Sequence, residues 1–89
     1  MSYDVAIVGL GRVGLPLALC FADHGLRVLG IDNDGERLAA LRERSMPFLE
    51  TGAQELLDRT ELALSDQIGD AAQATHIVIT LCTPSFSHI

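Results

Sequence analysis

The sequence predicts a small α/β domain: a parallel sheet of four strands with flanking helices, in the order βαβαβαβ. Three observations carry this expectation. Apolar runs of strand length alternate with segments of helical spacing along all 89 residues. The first run leads directly into "GLGRVG" (9–14), with glycines at its first, third and sixth places. The second run ends on an acid, Asp32.

The opening strand is expected in "YDVAIVGL" (3–10), where Val5-Ala6-Ile7-Val8 is a continuous apolar run. Such a run fits a strand buried on both faces, as in a parallel sheet. From about Val13 to His24, Val13, Leu17, Ala18 and Phe21 recur at helical spacing. Pro16 is tolerated only near that helix's start, and Gly25 follows His24 where a left-handed residue closes a helix. "LRVLGID" (26–32) is the next strand. "NDGERLAALRER" (33–44) reads as a helix with Asn33 as cap, Glu36 completing a capping box, and Leu38 and Leu41 facing inward. "SMPFLETG" (45–52) breaks the rhythm at Pro47 and Gly52. After it come a short helix (53–59), a short strand (62–66), a short helical connection (67–74) and a β-branched strand, "THIVITLCTP" (75–84). No internal repeat, low-complexity stretch or linker interrupts residues 1–89, which read as one domain.

Composition narrows the partners. Apolar residues make up 48% of the chain, and mean hydropathy is positive, as in a globular domain. The net charge is −6, with six arginines and no lysine, so no basic stripe exists for a nucleic-acid backbone. The longest apolar window, Val5–Ala22, contains Arg12, Pro16 and three glycines and does not read as a membrane span. No signal peptide opens the chain, so a cytoplasmic location is expected. Cys20 and Cys82 lie in apolar runs without C-x-x-C spacing, which favours two reduced, buried thiols over a disulfide or zinc site. His24, His76 and His88 share no metal-ligand spacing, and no metal is expected.

A lone G-x-G-x-x-G is weak evidence, because a strand-to-helix turn uses glycine for backbone reasons alone. Here the pattern follows a strand and opens a helix, the context that gives it chemical meaning. Gly9 permits the tight turn, Gly11 allows close approach of a pyrophosphate, and Gly14 lets the helix pack against the strand. The N–H groups of Arg12 and Val13 then point at phosphate from the positive end of the helix dipole. Asp32 lies eighteen positions after Gly14, about where a Rossmann-like fold places the acid that binds the adenosine ribose. Such an acid repels a 2′-phosphate and favours NAD over NADP. Arg37, on the first turn of the next helix, is placed either at that ribose or on a solvated helix face. Thr83 and Pro84 close the strand expected beside the first one, at the point where open α/β sheets bind ligands.

With these residues in view, the chain resembles the amino-terminal part of the UDP-glucose/GDP-mannose (nucleotide-sugar) dehydrogenase family over nearly its whole length. The resemblance rests on "VAIVGLGRVGLPLALCFADHG", "VLGIDND", "MPFLETGAQELL" (46–57) and "CTP" (82–84). It implies NAD contacts at Gly9, Gly11, Val13, Gly14, Asp32, Arg37 and Thr83. It also implies two successive NAD-dependent oxidations of a sugar C6 alcohol to a carboxylate. The family's catalytic cysteine, which forms a thiohemiacetal and then a thioester, and its lysine and sugar-nucleotide domain correspond to positions beyond residue 89. This chain alone is therefore expected to be inactive. Arg12 stands where the family often has an aromatic residue, and Glu50-Thr51-Gly52 replaces its usual Glu-Pro-Gly. "GLPLA" (14–18) leans toward the branch acting on N-acetylated sugars.

One alternative belongs to another class. Regulatory nucleotide-binding modules of potassium-uptake systems share a similar glycine loop and strand-ending acid without catalysis. The long connection containing Pro47, Gly52 and "AQELLDR" favours the dehydrogenase, since most such loops have about two to six residues. Sheets of this class have about six strands, so four leave an open apolar edge; the isolated chain is expected to be marginally stable, or to self-associate through that edge or through exposed helix faces.

Overall fold

The computed structural model describes residues 2–80. The strands are β1 (Tyr3–Val8), β2 (Val28–Ile31), β3 (Ala63–Ser65) and β4 (Ala74–Ile79). The helices are α1 (Gly14–Asp23), α2 (Gly35–Arg42) and α3 (Ala53–Arg59), with a 3₁₀ segment at Ile68–Gln73. All strand pairs are parallel, and the sheet order is β3-β2-β1-β4. The chain therefore steps outward from β1 to β3, then returns to β1's other side, creating a switch point between β1 and β4.

One sheet face carries the larger core. Val5 and Ile7 of β1 meet Leu15, Ala18 and Leu19 of α1, Leu38 and Leu41 of α2, and Ala53 and Leu57 of α3. Ala6, Leu29 and Ile31 point the other way, toward Ala71 and Ala74. On that second face, β4 leaves Ile77 and Ile79 more than half exposed, with Ile68 exposed as well. A bidentate Arg59–Asp23 pair (2.9 and 3.2 Å) ties the end of α3 to the end of α1.

Several local expectations change. The inward face of α1 is Gly14, Leu15, Ala18 and Leu19, whereas Val13 precedes the helix and is 71% exposed. Cys20 falls outside that stripe and is exposed, so it is not a buried thiol. Asp34, not Asn33, caps α2: its carboxylate accepts from the N–H of Glu36 and of Arg37. The reason is a bond one turn earlier, from the Asp34 N–H to Asp32 Oδ1 (2.9 Å), which sets Asp34 before the helix in extended geometry. Gly25 has φ +92°, and the bond from Leu26 N–H back to the Phe21 carbonyl completes the helix end as expected. Cys82, Thr83, Pro84 and His88 lie outside the described residues.

α2 ends without glycine. Arg44 takes φ +60° there and closes the turn through Ser45 N–H to the Ala40 carbonyl. Its guanidinium compensates by donating to the carbonyls of Leu57 (2.8 Å) and Thr60 (2.9 Å), capping the end of α3 from the turn after α2. Arg44→Ala loses these bonds and keeps the unfavourable φ, so it should cost about 1–3 kcal/mol. Arg44→Gly loses the same bonds but relieves the backbone, and should cost less. Urea denaturation of the two variants measures the order; a glycine variant less stable than the alanine variant contradicts this account.

Candidate functional site

The glycine loop is fixed by the ends of three neighbouring strands. Gly9 N–H donates to the Ile31 carbonyl (2.8 Å), and Thr80 N–H donates to the Val8 carbonyl (2.8 Å). Gly9 has φ +99°, and a Cβ there would collide with the Thr80 carbonyl. A Cβ on Gly14 would run into the Gly9 carbonyl oxygen and Thr80 Oγ1. Only glycine at both positions lets α1 start this close to β1 and β4. Thr80 Oγ1 itself donates to the Gly9 carbonyl (2.7 Å), holding the turn from the β4 side.

Leu10 links the loop to the acid. Its side chain is fully buried and lies over Gly30, while its N–H donates to Asp32 Oδ2 (2.7 Å). The same oxygen accepts from Arg37 Nη1 (3.0 Å), and Oδ1 accepts from Asp34 N–H. Asp32 is only 8% exposed. Burial alone would push its carboxyl pKa up. The two backbone N–H donors and the Arg37 guanidinium outweigh that and hold it below the ordinary carboxylate value. Arg37 is thus not on a fully solvated helix face; it is the counter-ion of Asp32 and also borders the cavity described next.

These groups open onto one cavity of about 870 Å³ at the switch point. Gly9, Gly11, Arg12, Val13, Asp32 and Arg37 line it from the loop and β2 side, and Pro47, Phe48, Asp66 and Ile68 from elsewhere. The start of α1 has no side-chain cap and no acid in its first turn, so its positive end faces the cavity without competition. An anionic diphosphate at the helix start and a hydroxylated group near Asp32 suit this arrangement. Of the residues expected at the site, Gly14 is packed beneath the loop instead of lining the cavity. Thr83 lies outside the described residues. Thr80, Leu10 and Phe48 were not foreseen. Thr80 differs in no visible way from other β-branched residues until the register Val8↔Ile79 places it opposite Gly9.

Over residues 3–88 the chain matches the UDP-glucose/GDP-mannose dehydrogenase family, NAD binding domain. The chain belongs to this family. As a UDP-glucose/GDP-mannose dehydrogenase family NAD-binding domain, it has NAD as its cofactor. It is 38% identical to the UDP-N-acetyl-D-glucosamine 6-dehydrogenase of Pseudomonas aeruginosa over 94% of this chain and 20% of that protein. It is 34% identical to the UDP-glucose 6-dehydrogenase of the same species, over 90% and 19%. Among solved structures, the GDP-mannose dehydrogenase of that species superposes with a TM-score of 0.86 at 26% identity, covering 94% of this chain and 20% of that one. The UDP-glucose dehydrogenase of Pyrobaculum islandicum gives 0.85 at 29% identity, over 94% and 21%. The chain spans about a fifth of the length of the relatives it matches. No helix among the described residues is long and apolar enough to cross a membrane.

Proposed function

We propose that residues 1–89 are the NAD-holding portion of a nucleotide-sugar 6-dehydrogenase that oxidises the C6 alcohol of a UDP-sugar to the uronate. The observation that carries this reading is Asp32: a buried, ionised carboxylate wired to the glycine loop through Leu10 and bordering the cavity. In this reading Gly11, Arg12 and Val13 present backbone N–H groups to the cofactor diphosphate. Gly9 and Gly14 keep the loop and helix in place. Asp32 accepts from the adenosine ribose hydroxyls, Arg37 pairs with Asp32 and approaches the same ribose, and Thr83 contacts the cofactor. Bound NAD supplies the hydride acceptor; this chain binds and orients it and contributes no nucleophile. The sugar-nucleotide contacts and the catalytic cysteine and lysine are assigned to other parts of such a dehydrogenase, and the location to the cytoplasm. Within the substrate class we favour an N-acetylated UDP-sugar, on the "GLPLA" stretch and the 38% identical relative.

We also propose that the isolated 89-residue chain self-associates through the face bearing Ile68, Ile77 and Ile79. Calorimetric titration tests the cofactor role: NAD is expected to bind the chain measurably and NADP more weakly. No heat from NAD in a folded sample would refute it. Sedimentation at several concentrations tests the association, and a concentration-independent monomer contradicts it.

A further inference from the structure

The Arg12 guanidinium sits 5.0 Å from the centre of the Phe48 ring, in cation–π range, and both residues line the 870 Å³ cavity. Four of the six arginines, Arg27, Arg37, Arg44 and Arg59, pair with carboxylates. Among the described residues Arg12 has no such partner, although the chain carries a net charge of −6. A cation without a carboxylate partner among the described residues is therefore seated on an aromatic ring in the cavity lining, two residues before the uncapped start of α1. Phe48 comes from the 45–52 connection, so that segment forms a wall of the site and holds the cation in place.

We infer that the Arg12 side chain, seated on Phe48, is a charged contact for the cofactor's diphosphate, added to the backbone N–H groups of the loop. The inference rests on the proposed cofactor role and deepens it. A guanidinium pairs with phosphate oxygens through directed N–H donors, and stacking on a ring restricts the side chain before the ligand arrives. A contact at this exposed position is screened by salt, which gives it a signature that the backbone donors lack.

The test is calorimetric titration of NAD, and separately of ADP, at low and high salt. The proteins are the wild-type chain, Arg12→Gln, Arg12→Lys and Phe48→Leu. Arg12→Gln should bind both ligands about five-fold more weakly at low salt and lose most of the salt dependence. Arg12→Lys should recover part of the affinity, and Phe48→Leu should fall between wild type and Arg12→Gln. Wild-type affinity and salt dependence in Arg12→Gln would overturn the inference while leaving the cofactor role standing. Failure of the wild-type chain itself to bind NAD would instead remove the cofactor role, and the inference with it.

Discussion

Replacing Asp32 by alanine should weaken NAD binding by an order of magnitude or more and destabilise the fold. Its carboxylate satisfies three donors at once: the N–H groups of Leu10 and Asp34, and Arg37 Nη1. Removing it leaves the Leu10 N–H without its acceptor and frees a guanidinium at the cavity wall. A stability loss of about 2–3 kcal/mol is expected, which is large for a domain of this size. Freed of its counter-ion, Arg37 can meet a 2′-phosphate, so the preference for NAD over NADP should narrow in the variant. Urea denaturation reads the first effect, and paired NAD and NADP titrations read the second. A variant as stable as wild type, with unchanged cofactor preference, would contradict both roles.

The same carboxylate gives a pH dependence of definite sign. Because its pKa is lowered in the folded state, Asp32 stabilises the fold at pH values above its unfolded pKa. That contribution declines as pH falls from about 5 and is lost once pH passes below the folded value. Asp32→Asn should therefore differ most from wild type at neutral pH, with the gap closing in acid. A gap that widens in acid would reverse the assignment.

The second large effect belongs to the loop itself. Gly9→Ala meets two obstacles, a left-handed φ and a Cβ placed against the Thr80 carbonyl. Gly14→Ala should raise helix propensity, yet its Cβ strikes the Gly9 carbonyl. Backbone cannot swing aside as a side chain can, so each should cost about 3 kcal/mol or more. Gly25→Ala is the control. Its φ of +92° is also left-handed, but nothing lies within 4 Å, so a loss of only about 1–2 kcal/mol is expected. Thermal or urea unfolding should rank Gly25→Ala well above the other two. Equal stability of all three would mean that close packing is not why the loop needs glycine.

The sequence was most legible where one local force dominates. The apolar run of β1, the helix Ala53–Arg59 and the left-handed Gly25 each follow from nearest-neighbour chemistry, and all appear where expected. Expectation failed where two similar residues compete or where tertiary register decides. Asn33 and Asp34 are both good caps, and the bond from Asp34 N–H to Asp32 selects the second. Val13 belongs to the helical repeat by spacing but sits in the turn, where it borders the cavity. Arg44 at positive φ carries no sequence signal, because its compensation comes from carbonyls thirteen and sixteen residues away. Phe48 reads as part of a loop-breaking segment, and only the folded chain brings it over Arg12. That Gly9, Gly11 and Asp32 gather at one cavity was legible in the sequence, because their places are set by backbone. Its supporting contacts, Leu10 and Thr80, depend on strand register.

The central claim is that the glycine loop and Asp32 form one NAD site at the switch point. Amide shifts of the ¹⁵N-labelled chain during NAD titration test it most directly. Saturable shifts should concentrate at Gly11, Arg12, Val13 and the Asp32–Arg37 stretch. No shifts there, or shifts confined to the separate hollow of about 280 Å³ lined by Leu41, Leu57 and Leu64, would contradict it.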